Sequence, residues 1–386
     1  MANQTNTSQS PLRGLVLSGG GARGAYQAGV LSAIAEITKD LGIKDPFHIF
    51  TGASAGSINA SMLACEAQDF NLGCQKLVDL WSHISSEQVF KTDALSLGKI
   101  GFRWIEDLSL GGLTGATPGK SLLDTSPLRK LLEKNLNFDQ LATNIESGRV
   151  RALGMTALDY KRTKSVTFVQ SADDVPMWNM SLRNSEKQII NAGHIMASAA
   201  IPLLFPAQTV GHDWYGDGCV GNSSPCGPAI YMGSDKIMAI GVRMNTLTAH
   251  EARGLQDPKA PSVARVVNVL LNAVMMDGIE LDIERIGRIN KFIDHVPDKQ
   301  QRKISYRKID PLWISPSADI GEIASQKAES LPRMVRYLIK GLGSLEDASE
   351  IISYLLFEPS FTTQLIEIGF EDGMQEKEAI KKFFTE

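Results

Sequence analysis

His48-Ile49-Phe50-Thr51-Gly52-Ala53-Ser54-Ala55-Gly56-Ser57-Ile58-Asn59-Ala60 is the stretch on which the fold turns. The apolar run ending at Thr51 reads as a strand, and the small residues after Ser54 can start a helix. Between them stands G-x-S-x-G, as Gly52-Ala53-Ser54-Ala55-Gly56. A serine on a tight strand-to-helix turn presents its hydroxyl, and the flanking glycines let backbones pass without Cβ clashes. The helix start behind it aims amide N–H groups at any oxyanion formed there. Five residues also occur by chance, and a plain strand–turn–helix with small residues for close packing fits the same letters. The remainder of the chain decides between these readings.

Toward the N-terminus, Leu12 to Ser18 is a short β-type run, followed at once by Gly19-Gly20-Gly21-Ala22-Arg23-Gly24. Ala25 to Ile37 has helical periodicity, with Tyr26, Val30, Ile34 and Ile37 on one face. Strand, glycine loop, helix and a second strand at 47–51 make a βαβ unit, which favours a parallel sheet with helices on both faces. The loop matches G-x-G-x-x-G, so a dinucleotide site is one reading. That reading needs an acidic residue at the end of the second strand to hold a ribose. Here the strand ends in Thr51 and runs into the serine turn, so no nucleotide cofactor is expected. The alternative is that the loop's N–H groups face an oxyanion beside Ser54. A tight turn without a ligand explains one glycine, but hardly three in a row followed by Arg23.

Toward the C-terminus, 61–90 is helical in pattern. Leu95 to Leu113, with Phe102 and Trp104, is apolar, glycine-punctuated and poorly periodic, as a lipid-facing flap or a buried insertion would be. Ser126-Pro127 starts a helix through about 136. Val150–Ala157 and Ser165–Val169 read as strands, Ile189–Ala200 as a helix of small residues, and Asp213-Trp214-Tyr215-Gly216-Asp217-Gly218-Cys219 as a strand delivering Asp217 into a turn. An Asp-Gly pair is most commonly an ordinary turn. Lys236–Met244 is a buried strand. Beyond it come a long helical pattern at 263–293, a possible strand at 304–314, and short helices from Ser330 onward. One of these, Leu331 to Leu342, places Leu331, Val335 and Ile339 on one side and Arg333, Arg336 and Lys340 mainly on the other. That is the pattern of an interfacial helix, or of one packed on its own domain.

The bulk numbers exclude several classes. With 386 residues, 43% of them apolar, the chain can bury a large core. A net charge of −4 gives no reason to expect nucleic acid. The four cysteines, Cys65, Cys74, Cys219 and Cys226, form no C-x-x-C pair and the six histidines are scattered, so no metal site is expected. The segment from Met1 to Pro11 is polar and uncharged and reads as a disordered tail rather than a Sec signal. A cytoplasmic protein that meets membranes peripherally is the expectation, with Sec-independent export left open.

The glycine loop, the serine motif and Asp217-Gly218, each preceded by a strand and in that order, resemble the patatin-like phospholipase family of serine lipid acyl hydrolases. Ala197-Ser198-Ala199-Ala200-Ile201-Pro202-Leu203-Leu204-Phe205-Pro206 is similar to the family's run before its aspartate strand. The resemblance covers about 12–245 and implies a mostly parallel central sheet wrapped by helices, α/β in class. The mainly helical region 246–386 resembles the C-terminal extension of bacterial members. One departure is Cys219, where the family usually has Gly or Ala after Asp-Gly.

The resemblance implies a dyad in which Asp217 takes the proton of Ser54 directly. The oxyanion would be held by N–H groups of Gly19, Gly20, Gly21 and Ala22, with Ala55 behind the nucleophile. Each such donor contributes on the order of 3 kcal/mol to the barrier. Gly24, Gly52, Gly56 and Gly218 shape the turns, and Arg23 either orients the loop or meets a lipid phosphate. The implied partner is membrane or micellar lipid, with no cofactor. A Ser–Asp–His triad would place its histidine after Asp217, where only His250 and His295 stand. A non-catalytic lipid-binding protein on the same fold is the other alternative.

Overall fold

The computed structural model describes residues 11–91, 121–245, 278–301, 306–342, 344–345 and 347–386, with 265–266, 269–270 and 273. The expected flap at 95–113, with Phe102 and Trp104, lies outside the described residues, as do His250 and nearly all of the N-terminal tail.

Strand β1 (Arg13–Leu17) leads through a glycine turn into helix α1 (Gly24–Asp40), and β2 (Ile49–Ala53) leads into α2 (Ala55–Cys65) and α3 (Phe70–Ser82). Helix α4 (Ser126–Asn135) precedes the hairpin of β3 (Ala152–Asp159) and β4 (Lys164–Ser171), followed by β5 (Arg183–Lys187) and α5 (Ala192–Ser198). A hairpin of β6 (Gln208–Val210) and β7 (Asp213–Asp217) then leads to β8 (Lys236–Ile240). After α6 (Ile279–Asp294) come β9 (Asp310–Ile314), α7 (Arg333–Leu342), α8 (Ser349–Leu355) and α9 (Pro359–Gln375).

Among the described residues the strands form one sheet in the order β5-β4-β3-β2-β1-β8-β9, with β7 paired to β3 and β6 to β7. β1 is parallel to β2 and β8, β2 to β3, and β8 to β9. The central strands β2 and β8 are buried at every position, as parallel strands covered on both faces must be.

The strand expected within 304–314 forms as β9, at one edge of the sheet. One feature departs from the sequence expectation. Helix α1 is buried on nearly all sides rather than along the Tyr26–Val30–Ile34–Ile37 face, because α9 covers its other side. Gly29 lies against the Ile366 carbonyl and Gly369 against that of Tyr26, so the two helices meet backbone to backbone, which only small residues allow. Helix α7 packs Leu331, Val335 and Ile339 into the main core and leaves Tyr337 outward, so its apolar face belongs to its own fold. No helix among the described residues is long and apolar enough to cross a membrane.

Candidate active site

The register of β3 places the site. Ala53, the last residue of β2, pairs with Thr156 of β3. At the next position β2 has ended, and β7 takes its place beside β3, pairing Asp217 with Ala157. Ser54 follows Ala53, so the sheet brings Ser54 and Asp217 to consecutive positions along one strand at its carboxyl end. This is where open α/β sheets place their sites.

Ser54 stands between β2 and α2 with φ 52 and ψ −125, a left-handed conformation that L side chains rarely adopt. The surroundings hold it there. Its N–H donates to Ser198 Oγ at 3.0 Å, and that hydroxyl donates to the Thr156 carbonyl at 2.6 Å. Its carbonyl accepts from the N–H and the hydroxyl of Ser57 at 2.9 and 2.6 Å. Gly52 and Gly56 face each other across the turn, and Gly56 lies against the Leu17 carbonyl of β1. A non-glycine residue at a strained φ/ψ costs about 1–3 kcal/mol and persists only where the structure over-determines it.

Asp217 is fully buried. Its N–H donates to the Ala200 carbonyl and the Gly218 N–H to that of Ser198, each at 2.9 Å, so the run before the aspartate strand also anchors it. Asp217 Oδ1 accepts from the Cys219 N–H at 2.8 Å, while Oδ2 has no hydrogen-bond partner. Burial raises its pKa from 3.8 to about 6, against the lowering effect of the Cys219 N–H and of the nearby Ser54 and Cys219 side chains. Ser54 and Asp217 are thus within each other's electrostatic reach, and Oδ2 is unpartnered among the described residues. Cys219 is accommodated: its Sγ lies beside Gly19, a position with no room for a Cβ.

The glycine loop sits on the other side of the serine. Gly19 abuts both Ser54 and Cys219, and Gly24 abuts Ala55. Gly21 has φ +56 and lies against the Tyr354 carbonyl, so it needs glycine on both counts. The N–H groups of Gly20 and Gly21 donate to no carbonyl among the described residues. A buried polar chain ties the loop to the serine helix. Trp81 Nε1 donates to Asn59 Oδ1 at 2.8 Å, Asn59 Nδ2 to the Gly24 carbonyl and to Gln27 Oε1, and Gln27 Nε2 to the Ser18 carbonyl at 2.8 Å.

Arg23 turns away from the serine. It is 2% exposed, ion-pairs with Glu350, donates to Ser353 Oγ from Nε (2.8 Å) and Nη2 (2.6 Å), and stacks on Tyr354 at 4.8 Å. Burial opposes its charge, and Glu350 more than offsets that opposition. Of its two expected roles, orienting the loop is the one this geometry serves. A lipid phosphate has no access to the guanidinium.

Beside Ser54 opens a narrow apolar slot of about 30 Å³, lined by Trp81, Phe357, Ile58, Leu128, Leu132 and Phe205. Sequence reading missed this slot, because Trp81, Leu128, Phe205 and Phe357 come from four distant segments with ordinary core patterns. It also missed Ser198, although the run holding it was legible. His295 is exposed at the end of α6, its Nδ1 2.7 Å from the Lys291 carbonyl. Among the described residues no cluster of His, Cys, Asp and Glu is arranged to hold a metal.

A mostly parallel sheet carrying a strained serine, a glycine loop and a buried strand-end carboxylate at one end is the build of an α/β acyl hydrolase. A family profile described as patatin-like phospholipase matches residues 15–230, more than half of the chain, and the chain belongs to that family. No curated protein matches the sequence. Solved structures share similarity at low identity. VipD from Legionella pneumophila is 14% identical with a TM-score of 0.31, over 95% of this chain and 69% of VipD. Human GIVD cytosolic phospholipase A2, in complex with methyl gamma-linolenyl fluorophosphonate and terbium chloride, is 12% identical with a TM-score of 0.44, over 99% of this chain and 60% of that one. The type III effector ExoU of Pseudomonas aeruginosa is 13% identical with a TM-score of 0.36, over 98% and 54%.

Proposed function

We propose that the chain cleaves carboxylic ester bonds of lipids, as a phospholipase A or lysophospholipase, with Ser54 as nucleophile and Asp217 as general base. The observation that carries this reading is the pairing of a strained, buried serine with a buried carboxylate whose Oδ2 lacks a partner, at consecutive positions along β3. Ser54 Oγ attacks the ester carbonyl while its proton passes to Asp217 Oδ2. The oxyanion forms beside the N–H groups of Gly20, Gly21 and Ala55. Collapse breaks the C–O bond, and the leaving alcohol takes the proton from Asp217. Water then enters, gives its proton to Asp217 and attacks the acyl-enzyme; collapse releases the fatty acid, and Asp217 returns the proton to Ser54 Oγ.

A carboxylate with a pKa of about 6 is ionised at neutral pH and is a closer Brønsted match to its task than one near 4. The apolar lining of the slot next to Ser54 matches a hydrocarbon chain in chemistry, which supports membrane or micellar lipid as the partner. No step calls on a metal or a nucleotide. The test is hydrolysis of a fluorogenic long-chain ester by wild type and by Ser54→Ala. Wild type is expected to turn over and Ser54→Ala to be silent, and equal rates would end the proposal.

A further inference from the structure

We propose that Glu350 and Ser353 are positioning residues for the glycine loop, so that a segment of the C-terminal region, outside the part matched to the family, completes the hydrolytic site. The proposal rests on the reading of Ser54 and the loop N–H groups given above.

The loop from Gly19 to Ala22 carries almost no side chain with which to hold itself. Donors aimed at a developing oxyanion work only if fixed to within about 0.5 Å of the productive geometry. The first long side chain after the loop is Arg23, and among the described residues its hydrogen bonds and ion pair all go to α8. Glu350 neutralises it, Ser353 Oγ accepts from two of its nitrogens, and Tyr354 lies beneath its plane. Ser353 is itself held, donating to the Glu350 carbonyl at 2.6 Å. The Tyr354 carbonyl closes against Gly21 directly. From the opposite side Val242 presses on Gly20, and the neighbouring Arg243 reaches the same Glu350 at 3.8 Å. One carboxylate therefore ties the loop after β1 to the loop after β8. Two residues past the helix, Phe357 stacks on Trp81 at 6.5 Å and lines the slot.

A buried ion pair is a poor way to gain stability, since an apolar packing of the same volume serves as well or better. What a planar fork held at several points does supply is fixed orientation. Glu350 and Ser353 touch neither the nucleophile nor the slot, so they act through Arg23.

The test compares wild type, Glu350→Gln, Ser353→Ala and Ser54→Ala in the full chain, on a soluble short-chain ester, with thermal unfolding of each. Glu350→Gln keeps volume and a hydrogen-bond acceptor while removing the charge. Ser353→Ala, the milder change, keeps the question open to refutation should Glu350→Gln fold poorly. Both variants are expected to lower kcat about tenfold, with KM within about twofold of wild type, because a displaced oxyanion donor is felt only in the transition state. Reaction of Ser54 with a fluorophosphonate probe should slow in parallel. Folded variants with wild-type kcat would overturn the positioning role, and so would a loss confined to KM or one that simply tracks the unfolding midpoint. If Ser54→Ala hydrolyses like wild type, the underlying reading of the site falls, and this one with it. If hydrolysis depends on Ser54 but ignores Glu350 and Ser353, only the positioning role falls.

Discussion

Asp217→Asn should inactivate the protein and stabilise it, with a pH dependence that identifies the buried carboxylate as the cause. In the native state burial holds the Asp217 pKa near 6, against 3.8 when exposed. The native state therefore binds more protons than the unfolded state between these values, and stability falls as pH rises through that window. The rise from 3.8 to about 6, converted at 1.36 kcal/mol per pH unit, is about 3 kcal/mol. This penalty is absent below about pH 3 and complete above about pH 7. Asparagine cannot ionise and keeps an oxygen to accept the Cys219 N–H, so the variant escapes the penalty. Urea unfolding at pH 4, 5, 6, 7 and 8 should show the stability difference between Asp217→Asn and wild type growing by about 2 kcal/mol, nearly all of it between pH 4 and 7. Hydrolysis by the variant should be at least about a hundredfold slower, within the usual contribution of a positioned base. In wild type, kcat/KM should rise with pH to a plateau with an apparent pKa near 6. A stability difference that does not change with pH would mean that Asp217 is solvated or paired in the native state, and the argument for its tuned basicity would be refuted.

Ser54→Gly should abolish hydrolysis and raise stability by about 1 kcal/mol, because glycine accepts φ 52 without strain; calorimetry checks this, and a destabilised glycine variant would argue against strain at the turn. Gly218→Ala should fail to fold or lose most of its stability, since the new Cβ would run into the Thr156 carbonyl of β3, and circular dichroism with thermal unfolding reads that outcome directly. His295→Ala should change stability by less than about 0.5 kcal/mol and leave ester hydrolysis at the wild-type rate, because the ring is exposed and its Nδ1 lies beside the Lys291 carbonyl of the helix it caps. A large loss of activity in folded His295→Ala would revive a triad.

The order of strand, glycine loop, helix, strand and serine turn is local information, and it was legible for a physical reason. Apolar runs such as Leu15-Val16-Leu17 and Ile237-Met238-Ala239-Ile240 serve strands buried on both faces, and glycines at 19–21, 52 and 56 stand where backbone must pass backbone. Ser54, Asp217 and the loop could be singled out because residue type and spacing carry their chemistry. Other elements have no such local mark. The strand Arg183-Asn184-Ser185-Glu186-Lys187 is polar throughout and exists only because β4 offers it an edge. Strand β9 could be read within 304–314, but that it forms the edge of this sheet depends on its pairing with β8. The separation of Ser54 from Asp217, the slot drawn from distant segments, and the grip of Glu350 and Ser353 on Arg23 across more than three hundred residues all depend on how the sheet closes. Sequence alone determined which groups could do the chemistry. Only the tertiary structure decided which of them meet and why the Asp217 carboxyl is held above its exposed pKa, because proximity and desolvation belong to the packed chain and to no segment of it.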